Sequence, residues 1–587
     1  AGPAGQLFIS LYPAKNVCFS DEWIIHVPAF AEEMNKSRKI VRDQAVVLAD
    51  IGATVIVPDL FGTGDSEGDF GQANWDVWKQ DVRFLIQWAV DQGAQRITLW
   101  GLRAGALLAL DLYQDSALSI HRLLLWQPVH SGEQLMTQFL RLRMAAGLKS
   151  GEPQAVAQLR ERLYGGETIE VAGYDVAPAL IKQLDKTNLN QFTLPSDANI
   201  NWFEVVNHPD KPLLPVSRKL IEELHAQGLD IRAFAIEGEP FWTTQELAIA
   251  PLLIERTTDA FSEVNTPLSR SMVSLASNND SSEQPFLFDC QGDELSGMLH
   301  CGDSGAKKGV LIVVGGPQYR VGSHRQFVHL SRALAERGIP VMRFDYRGMG
   351  DSSGELQGFE HIQSDIRCAI DAFINKQPAM QHVVIWGLCD AATAAGFYAA
   401  QDERVAGLVL LNPWVRSEEG EAKAFLKHYY LQRLISKQFW QKVVTGRFNL
   451  GDSIVSLFSK VKQVSKVKQI AGKAESQSLS QPLYPSDNQT SLIANTPTGI
   501  KPSSVNLAEK LQASLKAYHG PVLLIISGKD LTAAEFDDAV NASRPFRNLL
   551  SQKRFSRVDL KSADHTCSRR EWRDEVAVWT ANWIQKL

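Results

Sequence analysis

Nowhere in the 587 residues is there an uninterrupted apolar run near the roughly 18 residues that a membrane-spanning helix requires, so no membrane span is expected. Cysteine is scarce. The six present (Cys18, Cys290, Cys301, Cys368, Cys389 and Cys567) show no CxxC spacing, which argues against a metal centre and, at this length, against a disulfide framework. An excess of one charge is also missing: 60 Lys and Arg against 66 Asp and Glu leave a net charge of −6, which gives no global reason to expect a nucleic-acid partner. The opening AGPAGQLF has neither the charged region nor the apolar core of a signal peptide. A reducing cytoplasm is the expected compartment, and neither a metal nor a cofactor is called for.

What the chain does have is 44% apolar and 21% charged residues over a length too great for one hydrophobic core, so two large domains are expected. They are related by duplication. LFGTGDSEGDF from Leu60 lies over YRGMGDSSGEL from Tyr346, and ITLWGLRAGALLAL from Ile97 over VVIWGLCDAATAAG from Val383; Asp65 and Asp351, like Gly101 and Gly387, are 286 positions apart. Each copy alternates short Val- and Ile-rich runs with longer amphipathic stretches, as parallel strands joined by helices do. In the second copy GVLIVVGG reads as a buried strand, HRQFVHLSRALAERG as a helix, IPVMRFDYRG as the next strand, SDIRCAIDAFINK as a helix, and VVIWGLCDA as a strand entering a sharp turn. The Ser- and Asn-rich TPLSRSMVSLASNNDSSEQP between the copies reads as a linker, with the boundary near Ser277. The expected organisation is a first domain over 1–270, a linker over 271–285 and a second domain over 286–587. All of this describes an α/β fold built from two tandem α/β-hydrolase domains, each a mostly parallel sheet flanked by helices.

Gly-x-Cys-x-Ala at the end of a strand and the start of a small-residue helix has the form of a nucleophile elbow, with its last glycine replaced by alanine. The turn exposes Cys389 at the carboxyl edge of the sheet, and the positive end of the following helix favours its thiolate. In the chain order nucleophile, acid, histidine, the partners are Asp530, in the loop after PVLLIISG, and His565, in SADHTCS before the last helix. His565 would take the thiol proton and Asp530 would orient the imidazole. Asp537 and Asp538 are rival acids, set aside because they fall within a helix. For an oxyanion the backbone N–H groups of Asp390 and Gln318 are candidates, because Pro317 has none to give. Arg320, His324 and Arg325 either bind a carboxylate or phosphate of the substrate or form a solvated rim.

The first copy reads as a degenerate site. Arg103 stands at its elbow, and a guanidinium cannot attack a carbonyl. Glu237-Gly238-Glu239-Pro240 is taken as the counterpart of the Asp530 loop, and no histidine occurs between His225 and His300. Arg103 either binds an anion, beside Glu237 or Glu239, or fills the old site with an internal salt bridge. In the second domain, 412–507 is placed as a helical cap insertion. Within it, Arg416 to Lys473 holds twelve Lys or Arg against four Asp or Glu, which makes it either plain solvated surface or a docking face for an acidic partner such as an acyl carrier protein. The Ser- and Pro-rich stretch from Gln477 to Pro502 is expected to be mobile.

HVPAFAEEMNKSRK with WGLRAGALLALD in the first copy, and VLIVVGGPQYRVGSHRQF with WGLCDAATA and LVLLNPWVR in the second, resemble the two hydrolases associated with the bacterial exosortase A system, joined in one chain. The first half is similar to the second-type hydrolase, with Arg at the elbow, and the second half to the first-type, with Cys. The resemblance covers nearly all of the chain. It implies a bacterial setting of exopolysaccharide production with acyl carrier proteins nearby, and hence cysteine-dependent acyl transfer or thioester hydrolysis on an acyl-thioester substrate, bound to a carrier or to coenzyme A. Other expectations compatible with the residues are hydrolysis of a small ester or lactone, as by dienelactone hydrolases, and a non-catalytic scaffold. Two homologous domains could also associate as an intramolecular pseudo-dimer.

Overall fold

The structure, a computed structural model, describes residues 1–15, 21–115, 117–150, 154–244, 248–262, 282–316, 318–415 and 506–587. Ser277, most of the expected cap with its basic stretch, and Gln477 to Pro502 lie outside the described residues.

Two sheets carry the fold. The first contains β1 (Ile9–Tyr12), β2 (Glu22–Val27), β3 (Thr54–Pro58), β4 (Arg96–Leu102) and β5 (Arg122–Trp126); a separate hairpin, β6 (Ile169–Val171) with β7 (Tyr174–Val176), follows, and β8 (Asn199–Val206) and β9 (Asp230–Glu237) complete the sheet in the order β1-β3-β2-β4-β5-β8-β9. The second sheet contains β10 (Glu283–Cys290), β11 (Asp293–His300), β12 (Lys308–Val313), β13 (Val341–Phe344), β14 (His382–Leu388), β15 (Val405–Leu411), β16 (Val522–Ser527) and β17 (Phe555–Leu560), in the order β10-β11-β13-β12-β14-β15-β16-β17. Only β1 in the first sheet and β10 and β11 in the second form antiparallel pairs. The remainder is parallel, and β3-β2-β4-β5-β8-β9 corresponds strand for strand to β13-β12-β14-β15-β16-β17. The chain is therefore two α/β-hydrolase domains in tandem. β10, the first strand of the second sheet, begins at Glu283, within the expected linker over 271–285.

The parallel strands are apolar on both faces because helices cover both sides. Ile24 and Ile25 in β2, and Val383, Val384 and Ile385 in β14, have no exposed surface. At corresponding positions Trp100 packs edge-on against Trp126 at 4.8 Å between ring centres, and Trp386 packs against Phe327 at 5.5 Å. Cys290, at the end of β10, is paired with Cys368 in the helix Gln363–Lys376 as a disulfide. The scattered cysteine spacing did not suggest this bridge, because partners 78 residues apart carry no local signature.

An insertion follows β5 in the first domain as well, at the same topological point as the expected cap of the second. It includes the helices Val156–Tyr164 and Pro178–Leu184 and the β6–β7 hairpin. The sequence reading did not separate it, since its helices and apolar spacing resemble those of the domain itself.

The two domains meet through buried charge. Arg38 of the first donates to Asp351 of the second (2.6 and 2.8 Å) and to Asp59 of its own domain (2.8 Å). Arg320 of the second domain lies 2.7 Å from Asp65 of the first, 2.7 Å from Asp345 and 2.8 Å from Asp351, and Arg343 is 2.9 Å from Asp65. Arg325 donates to the carbonyls of Gly62, Gly64, Ser66 and Gly68 in the first domain. Asn35 completes the junction, with its amide donating to Gly322 O and its carbonyl accepting from Tyr319 N.

Candidate active site

Both elbows have the same backbone. Cys389 has φ 62° and ψ −123°, and Arg103 has φ 56° and ψ −116°, conformations that a non-glycine residue adopts only when the surroundings enforce them. Enforcement comes from close contact between strand and helix. A Cβ on Gly387 would lie 2.6 Å from Ala391 O, and one on Gly101 only 2.4 Å from Ala106 Cα. The elbow backbone is thus the same in both domains, with Arg103 at the position of Cys389.

β16 and β17 end at the same edge of the sheet and bring the other two candidate residues together. Asp530, in the loop after β16, accepts from His565 Nδ1 at 2.9 Å, and His565 lies in the loop after β17. Asp530 also caps the helix Leu531–Ala542, accepting from Thr532 N and Ala533 N, so its carboxylate is fixed on both sides. Burial alone would lower the pKa of His565. The carboxylate of Asp530, with Asp390 and Asp564 adding to its field, more than offsets this and raises it above the ordinary histidine value. Asp537 pairs with Arg557 and belongs to that helix, away from the imidazole hydrogen bond.

Asn412 was not foreseen. Buried, with φ 47°, it follows β15 and joins three elements: its amide donates to Ser527 Oγ (2.9 Å) and to His565 O (3.1 Å), and its carbonyl accepts from Ser527 N (2.8 Å). Two residues on, Trp414 N donates to Cys389 O. The signal available was Asn-Pro directly after a buried strand. Its counterpart Gln127-Pro128 keeps the role, with Gln127 at φ 45° accepting from Val205 N.

The anion pocket at the elbow departs from expectation. Gln318 gives its backbone N–H to Gly316 O at 2.9 Å. The N–H of Gly316 is taken by Asp390 itself, whose carboxylate accepts it at 3.1 Å and that of Ala391 at 2.9 Å. A Cβ on Gly315 would sit 1.9 Å from Asp390 Oδ1, so the carboxylate fills the groove between the β12 loop and the elbow. Burial raises the Asp390 pKa despite these hydrogen bonds.

Arg320 and Arg325 require a correction. Neither offers a hydrogen-bond donor to a substrate, because Arg320 is fully enclosed by three carboxylates and Arg325 spends its donors on first-domain carbonyls. His324 is buried as well, with Nε2 3.3 Å from Thr566 Oγ1. Cys567 is buried against Ser527, and its thiol is pushed up to about 12, so it is no rival nucleophile.

In the first domain Arg103 forms the internal salt bridge, with Glu33 (3.0 Å), not with Glu237 or Glu239, and lies over the ring of Trp242. The topology also corrects the assignment of the acid loop. Glu237-Gly238-Glu239-Pro240 follows β9, the counterpart of β17, and so corresponds to the histidine loop. The counterpart of the Asp530 loop follows β8 and contains Asp210, whose side chain is 90% exposed and 3.6 Å from His208. An acid is therefore present there, but not turned into a site, and the histidine loop has no histidine.

Residues 305–537 match the family model described as serine aminopeptidase, S33 (Hydrolase_4). The matched segment lies within the second domain. No curated protein sequence matches the chain. Among solved structures, an esterase of Pyrococcus furiosus is 14% identical, with 52% of this chain and 91% of that one covered and a TM-score of 0.34. Est1E of Butyrivibrio proteoclasticus with bound ferulic acid is 16% identical (51% and 98% covered, TM-score 0.30), and a CIB-like hydrolase of Thermoplasma acidophilum 13% (52% and 99%, TM-score 0.29). Values this low carry no argument about activity. Among the described residues no helix is long and apolar enough to cross a membrane, and no cluster of residues could hold a metal ion.

Proposed function

We propose that the second domain is a cysteine-dependent acyl-transfer or thioester-hydrolysing enzyme, with Cys389 as nucleophile, His565 as base and Asp530 as its orienting acid. The observation that carries this reading is the doubly anchored Asp530, held at 2.9 Å from His565 Nδ1 on the same sheet edge that presents Cys389 in an enforced elbow. The Cys389 proton passes to His565 Nε2, and the thiolate attacks the acyl carbon of a thioester. The bond to the departing sulfur breaks, and that sulfur takes the proton from His565. An acyl-Cys389 thioester remains. Water or an acceptor then gives a proton to His565, attacks the same carbon and frees Cys389. Thiol exchange between thioesters is nearly isoenergetic, which suits a thiolate better than an alkoxide for transfer.

The first domain, in this reading, is a non-catalytic partner that forms an intramolecular pseudo-dimer with the second. Crossed arginine–aspartate pairs, Arg38 with Asp351 and Arg320 with Asp65, support it. A carrier-bound or coenzyme A-bound acyl group in the setting of the exosortase A system is the substrate class we favour. Release of free thiol from a panel of acyl-coenzyme A thioesters, followed continuously, tests the activity. Turnover lost in Cys389→Ala and in His565→Ala is expected; turnover that survives both would reject the assignment.

A further inference from the structure

The β6–β7 hairpin of the first domain bends over the second domain beside its histidine loop and encloses a cavity of about 120 Å³. Gly173 of the hairpin faces His324, Arg325, His329, Arg570 and Arg573 across it. The approach is possible only with glycine, because a Cβ on Gly173, at φ 87°, would lie 2.3 Å from His324 Cγ. His324 (φ 44°) and Arg325 (φ 61°) are both in the left-handed region, so the two side chains are placed here at a backbone cost.

The lining differs with depth. Arg325 and His324 are each only 3% exposed, whereas Arg570 is 61% exposed and Asp69 52% exposed at the mouth, where Asp574 is exposed too. Arg570 is neutralised by Asp175. Arg325 has only carbonyl partners and Arg573 one long contact, 3.4 Å to Gly173 O, so two inner guanidinium charges have no carboxylate in contact. His324 Nδ1 is buried with no hydrogen-bond partner. The titration directions agree. Burial and then Arg573 hold His324 down to about 3; burial with Arg325, Arg573 and Arg332 holds His329 down to about 2; burial and Arg332 lower Arg325 to about 10. Arg573 is lowered as well, mainly by burial.

We propose that this cleft binds a phosphoryl dianion, with Arg573 inside it and Arg570 at the mouth as its ligands and Arg325 supplying charge from below. Two inner guanidinium groups without a carboxylate in contact match a dianion better than a carboxylate. Through His324 the site touches Thr566, next to His565. If the acyl-transfer reading above holds, the phosphoryl group is the handle of a phosphorylated thioester donor; free phosphate has the same chemistry.

The full chain, titrated calorimetrically in a phosphate-free buffer with inorganic phosphate, coenzyme A and acetate, provides the test. Phosphate is expected to bind at millimolar concentration or tighter, acetate at least tenfold more weakly, and Arg573→Gln to weaken phosphate at least tenfold, whereas Arg557→Gln on a remote exposed pair leaves it unchanged. Arg570→Gln, at the exposed mouth, serves as a second variant if Arg573→Gln does not fold, with a loss of about threefold or more. Coenzyme A that displaces phosphate and binds at least tenfold tighter supports the donor handle; phosphate alone binding supports the site with free phosphate as ligand. No binding of either phosphoryl compound, or equal binding by wild type and both variants, overturns the proposal. None of these titrations requires turnover, so a silent Cys389 would not imitate their failure, and their failure would leave acylation of Cys389 to be judged separately.

Discussion

Asp65 and Asp351 occupy equivalent positions in the two domains, and each is held by an arginine of the other: Arg320 lies 2.7 Å from Asp65, and Arg38 donates to Asp351 at 2.6 Å. A duplicated loop has thus become a reciprocal lock with no exposed charge at its centre.

Removing one member of such a cluster leaves a buried guanidinium without its counter-charge, which costs about 3–5 kcal/mol. Asp65→Asn is therefore expected to lower the stability of the whole chain by that amount, since Arg343 loses its carboxylate partner and Arg320 one of its three. Urea unfolding followed by tryptophan fluorescence, with Trp residues in both domains, reads the loss. An unchanged midpoint would mean that the lock contributes nothing to stability.

The lock has a definite pH response. The arginines hold Asp351 and Asp65 below the ordinary carboxylate value against the cost of burial, so their contribution is present above the unfolded carboxylate pKa and is lost as pH falls through their folded values. Asp345 is pushed up by burial to about 6 and works the other way, its contribution being lost as pH rises from the unfolded value through about 6. Asp65→Asn should flatten the acid side of a stability–pH curve. The same acid loss in wild type and variant would contradict this assignment.

His565 holds its proton to a higher pH than a free histidine. As the base must be neutral, acylation of Cys389 should fall as pH drops through a midpoint above about 6.5. Asp530→Asn should move that midpoint down and slow the reaction at every pH. Single-turnover rates between pH 5 and 9 measure both effects, and an unshifted midpoint in the variant would speak against Asp530 as the partner.

The elbow sequence, the chain order of Cys389, Asp530 and His565, and the 286-residue repeat were legible because each is a local pattern or a fixed spacing. What was not legible depends on distant partners. Arg320 and Arg325 read as substrate ligands or a solvated rim because their counterparts, Asp65 and the Gly62–Gly68 loop, lie more than 250 residues away. The acid loop of the first domain is assigned to the wrong strand from sequence because, without a histidine, nothing in Glu237 to Pro240 distinguishes the end of β9 from the end of β8. Asn412 acts through the backbone of His565, a contact made only when two strand ends meet.

Asp390 fills the groove that a developing oxyanion would need. Asp390→Asn removes that negative charge at nearly constant shape and is expected to speed acylation of Cys389 at pH 8 by about 10-fold or more, toward the roughly 100-fold effect of one oxyanion donor. Iodoacetamide alkylation, which needs no oxyanion pocket, serves as the reference rate. A parallel rise in both rates would show only a more reactive thiol.

Arg103→Ala is expected to leave acylation of Cys389 untouched and to destabilise the chain by about 1–3 kcal/mol, because Glu33 loses its partner in a buried setting. Loss of acylation in a stably folded Arg103→Ala protein would give the first domain a catalytic part that this account denies.

Intact-protein mass spectrometry after rapid quenching, with wild type and Cys389→Ala exposed to a panel of acyl-thioesters, tests the central claim most directly. A mass increase equal to one acyl group in wild type alone, mapped to Cys389, is the result predicted. No adduct with any donor, or the same adduct in Cys389→Ala, would contradict covalent acyl chemistry at this elbow.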